Sequence, residues 1–207
     1  MKKTILLLVV IAGIGINSEA QNAGKFHFGI KAGANISNVY DSKGEDFVAK
    51  AKAGFVGGAF AQIPLGKFIG IQPEALFSQK GFKGSGKILG NPYSYTRTTD
   101  YLDIPLLLAI KPVEMLTIVV GPQYSFLLKE KNVFENTAFS STQEKEFNNE
   151  NIRKNTLCFL GGVDVNFDKI VLSGRAGWDV QNNAGDGTSS TPRYKNVWYQ
   201  ATFGVRF

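Results

Sequence analysis

Histidine occurs once in the 207 residues, at His27, and cysteine once, at Cys158. A general base must lie within hydrogen-bond reach of its nucleophile and be oriented by a third group. An isolated histidine reads instead as a wall or interface residue. A single cysteine allows no intramolecular disulfide and no thiol-rich metal site, and it reads as a small buried side chain. The carboxylates form no metal-ligand set and flank no activated nucleophile. The chain therefore predicts no catalysis, metal or cofactor. Its formal charge is +6, but the Lys and Arg residues are scattered, with no basic helix or run to track a nucleic acid.

What remains chemically interesting is a set of charges placed within alternating segments, so the segments come next. Lys2 and Lys3 precede an uncharged apolar stretch from Ile5 to Ile16, and Ser18-Glu19-Ala20 supplies small residues before Gln21. This is the pattern of a cleaved export signal over residues 1–20; about 12 apolar residues are too few for a spanning helix, which needs about 20. Cleavage removes Lys2, Lys3 and Glu19 and leaves a charge of +5 on one domain, residues 21–207. No cysteine follows the apolar stretch to carry a lipid anchor.

Beyond the signal no apolar run reaches spanning length, and 23 Gly with many Phe and Tyr favour sheet over helix. Period-two alternation is clearest in Val197 to Phe207. There Val197, Tyr199, Ala201, Phe203, Val205 and Phe207 share one face, opposite Trp198, Gln200, Thr202, Gly204 and Arg206. Phe26 to Ile36, Phe68 to Lys80, Tyr101 to Lys111, Leu116 to Leu128, Leu157 to Phe167 and Ile170 to Gln181 alternate in the same way. Ala53 to Ile63 is weaker, because Phe55 and Phe60 have opposite parity, and its facing stays open. Pro73, Pro105 and Pro122 fall inside these segments, where bulges or breaks in the ladder are expected. Short connections (Pro64 to Lys67, Pro112 to Met115 and Phe167 to Lys169) alternate with long polar ones at 37–52, 82–97, 129–156 and 182–195.

A soluble barrel also alternates. Three features point to a membrane instead. The polar faces are rich in Gly and small residues and poor in charge. Phe26, Phe28, Phe167, Phe203 and Phe207 fall near one end of the apolar faces, while Phe77, Tyr124, Phe126, Trp178 and Tyr199 fall near the other, as two aromatic girdles. The loops alternate in length. The expected fold is an all-β, antiparallel, eight-stranded transmembrane up-and-down barrel with short periplasmic turns and long outer loops. Without spanning helices, only closure satisfies every backbone group in lipid.

Three segments carry a family resemblance: Ile71-Gln72-Pro73-Glu74-Ala75-Leu76-Phe77-Ser78-Gln79-Lys80-Gly81, Tyr101-Leu102-Asp103-Ile104-Pro105-Leu106-Leu107-Leu108 and Val120-Gly121-Pro122-Gln123-Tyr124. With the C-terminal Phe, the chain resembles the PorT-like, or outer membrane β-barrel domain, family over essentially the whole of its length after the signal. The resemblance implies an outer-membrane location and eight strands, but no reaction. One member of that family takes part in the type nine secretion system. The resemblance also implies that Tyr199, Phe203, Val205 and Phe207 form the signal read by barrel-assembly machinery.

With this parity Lys31, Glu74, Asp103, Lys111, Asp164, Arg175, Asp179 and Arg206 point inward, joined by Lys80 if its segment keeps register. Charges withdrawn from water must be paired, so a neutralised, side-chain-filled lumen is expected, because eight strands leave little room for a pore. The expected role is non-enzymatic, structural or interaction-bearing; a secretion component, a narrow channel and a rim enzyme are the alternatives. Outer-membrane lipid and the assembly machinery are the expected partners. A protein partner could dock on loop 129–156, where Glu130, Glu135, Glu144, Glu146 and Glu150 mix with Phe134, Phe139 and Phe147.

Overall fold

The computed structural model describes residues 25–40, 48–88, 91–136, 140–146, 155–181 and 195–207. The expected signal at 1–20 lies outside these, as do Phe139, Phe147 and Glu150. Among the described residues there are nine strands: β1 (His27–Tyr40), β2 (Val48–Pro64), β3 (Ile69–Ile88), β4 (Asn91–Val113), β5 (Leu116–Asn136), β6 (Ser140–Glu146), β7 (Asn155–Phe167), β8 (Ile170–Asp179) and β9 (Lys195–Arg206). Each long strand pairs antiparallel with the next, β5 pairs with β7, and β9 returns to β1. Eight strands thus close a barrel. β6 lies outside the ring, on the far end of β5.

Carrying the register once round, from Phe28 through Ala61, Pro73, Leu106, Pro122, Phe159, Trp178 and Val197, returns to β1 at Asn38, ten residues further on. With about 3.3 Å per residue and about 4.8 Å between strands, that shear tilts the strands about 40° from the axis. Three tight turns, at 65–68, 114–115 and 168–169, share one end of the barrel with the start of β1 and the end of β9. In the last of these turns Asp168 takes a left-handed φ of 48°, a conformation Asp tolerates better than bulkier side chains.

The outward face is an unbroken apolar surface. Phe28, Ile30, Phe77, Leu102, Ile104, Leu106, Leu108, Tyr124, Phe126, Trp178, Tyr199 and Phe203 are all exposed. At the calculated tilt the outward runs Leu102–Ile110 and Ile118–Leu128 span roughly 20–25 Å along the axis. Gln79 and Asp100 bond each other above this band, at 3.0 Å. In β2 the open facing resolves cleanly: Phe55 points outward at 52% exposure and Phe60 inward at 3%. Both aromatics are used, one on each face.

Of the two outcomes expected at the prolines, breaks occur and bulges do not. Pairing lapses at Gln72-Pro73 against β2, at Ile104-Pro105 against β3 and at Gly121-Pro122 against β4. Register is nevertheless unchanged across each gap, and the shifts in register fall at Ala51/Val56, Asp100/Tyr101 and Ile110/Val113. Each proline removes one ladder donor without inserting a residue. Segments 82–97 and 129–156, expected as loops, are not simply loops. β3 and β4 continue to Ile88 and from Asn91, β5 runs to Asn136, and β6 adds a further strand. Together they extend the sheet past the apolar band, where polar residues on both faces hide the alternation.

Candidate functional site in the barrel lumen

The inward residues fill the barrel in layers. At the centre of the inner layer, Lys31 from β1 donates to Glu74 Oε2 at 2.5 Å. Arg175 from β8 donates through Nη1 to both Glu74 oxygens at 2.8 Å and through Nη2 to both Asp164 oxygens at 3.1 Å. Gln72 Nε2 bridges Glu74 and Asp164 at 2.9 Å each, and Gln62 donates to Gln72 Oε1. Two cations and two carboxylates from four strands therefore make a neutral buried cluster. Such pairing is the condition for holding charge away from water.

A second layer lies toward the long-loop end. Lys80 pairs with Asp103 at 3.0 Å and sits 3.7 Å from the centre of the Trp198 ring. Ser125 donates to Asp103 at 2.6 Å, and Cys158 lies between Ser125 and Asp179. Asp179 accepts from the Asn196 backbone at 2.9 Å and its side chain at 2.6 Å. Farther out, Arg97 pairs with Glu130 at 3.0 Å beside Tyr95 and Asn132. Apolar packing completes one wall, with Leu107, Ala109, Val119 and Leu160 buried together.

Two glycines make these layers possible. A Cβ on Gly29 would meet the Phe60 ring, and one on Gly177 would meet the Trp198 indole. Phe60 in turn lies under Lys31, whose Nζ is 5.7 Å from the ring centre. The two bulky rings fit only because the strands facing them are bare.

The eight inward charges anticipated from parity thus do not form one network. Lys31, Glu74, Asp164 and Arg175 meet in the inner cluster, and Asp103 and Asp179 in the outer one with Lys80. Lys111 and Arg206 join neither and lie at the short-turn mouth. Gln72, Trp198 and Asn196 went unselected for want of charge; their inward parity was the available signal. Arg97 was hidden in an expected loop. His27 faces the same mouth beside Arg206 and Lys111 and away from both carboxylate clusters. Among the described residues no group of three or more His, Cys, Asp or Glu side chains could hold a metal.

A closed eight-stranded barrel with an apolar exterior and a charged, paired interior needs lipid around it. A family model described as outer membrane protein beta-barrel domain matches residues 19–182. The chain belongs to this family. Membership places it in the outer membrane, with the tight turns on the periplasmic side. The match stops before β9, the strand that closes the ring between β8 and β1.

Among solved structures the chain is similar to Ail, the attachment invasion locus protein of Yersinia pestis. Identity is 14% over 89% of this chain and 100% of that one, with a TM-score of 0.50. It is also similar to Neisserial surface protein A, at 11% identity over 90% and 100% of the chains and a TM-score of 0.44. OprG from Pseudomonas aeruginosa shows 15% identity over 90% and 97%, with a TM-score of 0.42. At 14% identity the likeness to Ail is one of fold alone. No curated protein matches the chain.

The three segments that carried the sequence resemblance are neighbours in space. They lie on β3, β4 and β5, bring the three prolines side by side, and supply Gln72, Glu74, Asp103 and Gln123 to the lumen.

Proposed function

We propose that this protein is a non-enzymatic outer-membrane barrel whose lumen is a structural plug and whose outer sheet extension bears its interactions. The observation that carries the reading is the stacking of two hydrogen-bonded ion clusters across the lumen, closed further by Phe60, Trp198 and the Leu107 group. A permeating ion would have to separate charges already paired at 2.5–3.1 Å, and breaking a buried pair is costly. A barrel of eight strands is narrow enough for side chains to do this. Planar-bilayer recordings of the pure protein test it: the plug predicts no stable open level, and reproducible ion-selective conductance would replace it with a narrow channel.

The reading of no catalysis is supported by the position of His27, which among the described residues has no carboxylate or hydroxyl relay and lies at the end remote from the outer rim. Hydrolysis of lipid by the pure protein, lost on changing His27, would overturn it. A PorT-like role in type nine secretion is the finer alternative, favoured by the three motif segments on β3–β5. Co-purification with secretion components from the native envelope would support it. Tyr199, Phe203 and Val205 lie on the lipid side of β9 and Phe207, exposed, follows its end, as suits an assembly signal displayed outward. The extension formed by β4, β5 and β6, with Tyr93 stacked on Phe134 at 5.4 Å, is the surface proposed to meet a protein partner.

A further inference from the structure

The periplasmic mouth holds charge that the plug does not use. Among the described residues it carries Lys25, Lys67, Lys111, Lys169 and Arg206 against only Glu114 and Asp168. Lys111 is half-buried, yet among these residues it makes no side-chain hydrogen bond or ion pair. Its nearest carboxylate in charge terms, Asp164, is already held by Arg175 and Gln72, and Arg206 repels it. Arg206 itself is held only by neutral acceptors: the Asp168 carbonyl at 2.7 Å, Gln62 at 3.4 Å and Asn166 at 3.3 Å. Lys67 rests over the Phe68 ring at 5.3 Å, and the Lys111 backbone bonds the Phe68 carbonyl at 2.7 Å. The two lysines are therefore fixed at one corner of the sheet.

That corner is also where an open cleft lies. It is bounded by Gln62, Ile63, Gly66, Lys67, Ile69 and Lys111, encloses about 30 Å³ and opens to the surroundings. Its lining joins the two faces of the wall, since Ile69 faces lipid and Lys111 the lumen mouth. Phe28, Phe68, Phe167 and Phe207 are exposed at the same end, the level of the interfacial aromatic girdle and hence of the lipid phosphates.

We propose that this cleft binds the phosphate of an anionic phospholipid of the inner leaflet, held by Lys67 and Lys111 with its glycerol end against the isoleucine edge. A soluble phosphate would satisfy the same cations. The apolar lining and the exposed Phe68 and Ile69 side chains at this corner favour a headgroup.

Native mass spectrometry of the full barrel, released from vesicles of mixed phosphatidylethanolamine and phosphatidylglycerol, tests the assignment. The wild type is expected to retain one phosphatidylglycerol in preference to phosphatidylethanolamine. The Lys67→Gln/Lys111→Gln double variant should weaken that retention about thirtyfold. Lys83→Gln, exposed at the opposite end, should not, and Lys111→Arg should keep the preference. A heat-shift gel verifies that each variant is a folded barrel; neither lysine makes a side-chain hydrogen bond that folding would lose. Equal retention of both lipids by the wild type, or unchanged retention by the folded double variant, overturns the proposal. Binding of inorganic phosphate without any preference for phosphatidylglycerol overturns it as well, and assigns the site to a soluble phosphate instead.

Discussion

Arg175 makes four of the hydrogen bonds that close the inner cluster, two to each carboxylate. Replacing it by Met leaves Glu74 with Lys31 and Gln72, and Asp164 with Gln72 alone among the described residues. Removing one partner of a buried ion cluster costs about 3–5 kcal/mol, so Arg175→Met should lower the unfolding free energy, read from a gel-monitored urea titration in detergent, by that amount. Lys83→Gln, exposed on β3, should stay within about 0.5 kcal/mol of wild type. Which charges face inward was legible from parity alone. Counting residues from the short turns also sets Lys31, Glu74 and Arg175 at similar depth, and these three do meet. The arrival of Asp164 from β7 was not legible, because contact across a barrel depends on shear. Asp103 lies opposite Leu76, two residues farther from the turns than Glu74, and so belongs to the outer layer. Lys111 lies too near the turns to reach either layer, and Arg206 touches the inner one only through Gln62.

At the scale of the strand, glycines that look alike in sequence have unlike surroundings. A Cβ at Gly174 meets nothing within 4 Å, whereas at Gly177 it would meet the Trp198 ring. Gly174→Ala is therefore expected to leave unfolding unchanged. Gly177→Ala should destabilise by about 1–3 kcal/mol through overpacking, read from the same urea titration. The prolines make a second prediction. Pro73, Pro105 and Pro122 each withdraw a ladder donor from three adjacent strands, so amides flanking them on β3–β5 should exchange hydrogen faster than those at equal depth on β7–β8. Equal protection would contradict it. Strand identity and facing were readable for seven of the eight spanning strands; β2 failed because Phe55 and Phe60 serve opposite faces. The outer extensions of β3, β4 and β5 were missed for another reason. Beyond the lipid both of their faces meet polar surroundings, so period two no longer separates them.

For the whole molecule, the architecture follows from a single constraint, that lipid tolerates only paired backbone. Closure then forces half the side chains into a lumen narrow enough for them to fill and too apolar in its surroundings to hold unpaired charge. The ion clusters are the result. Cys158 is a native reporter of that state, because it lies on β7 with no exposed surface, between Ser125 and Asp179 at the heart of the outer cluster. The decisive measurement is the rate at which a membrane-impermeant cationic thiol reagent modifies Cys158 in the wild-type barrel reconstituted in vesicles. A plugged lumen predicts no modification of the folded protein and complete modification once urea unfolds it. Reaction of the folded barrel at the rate of a free cysteine would show that water and solutes reach the middle of the lumen, and would contradict the plug.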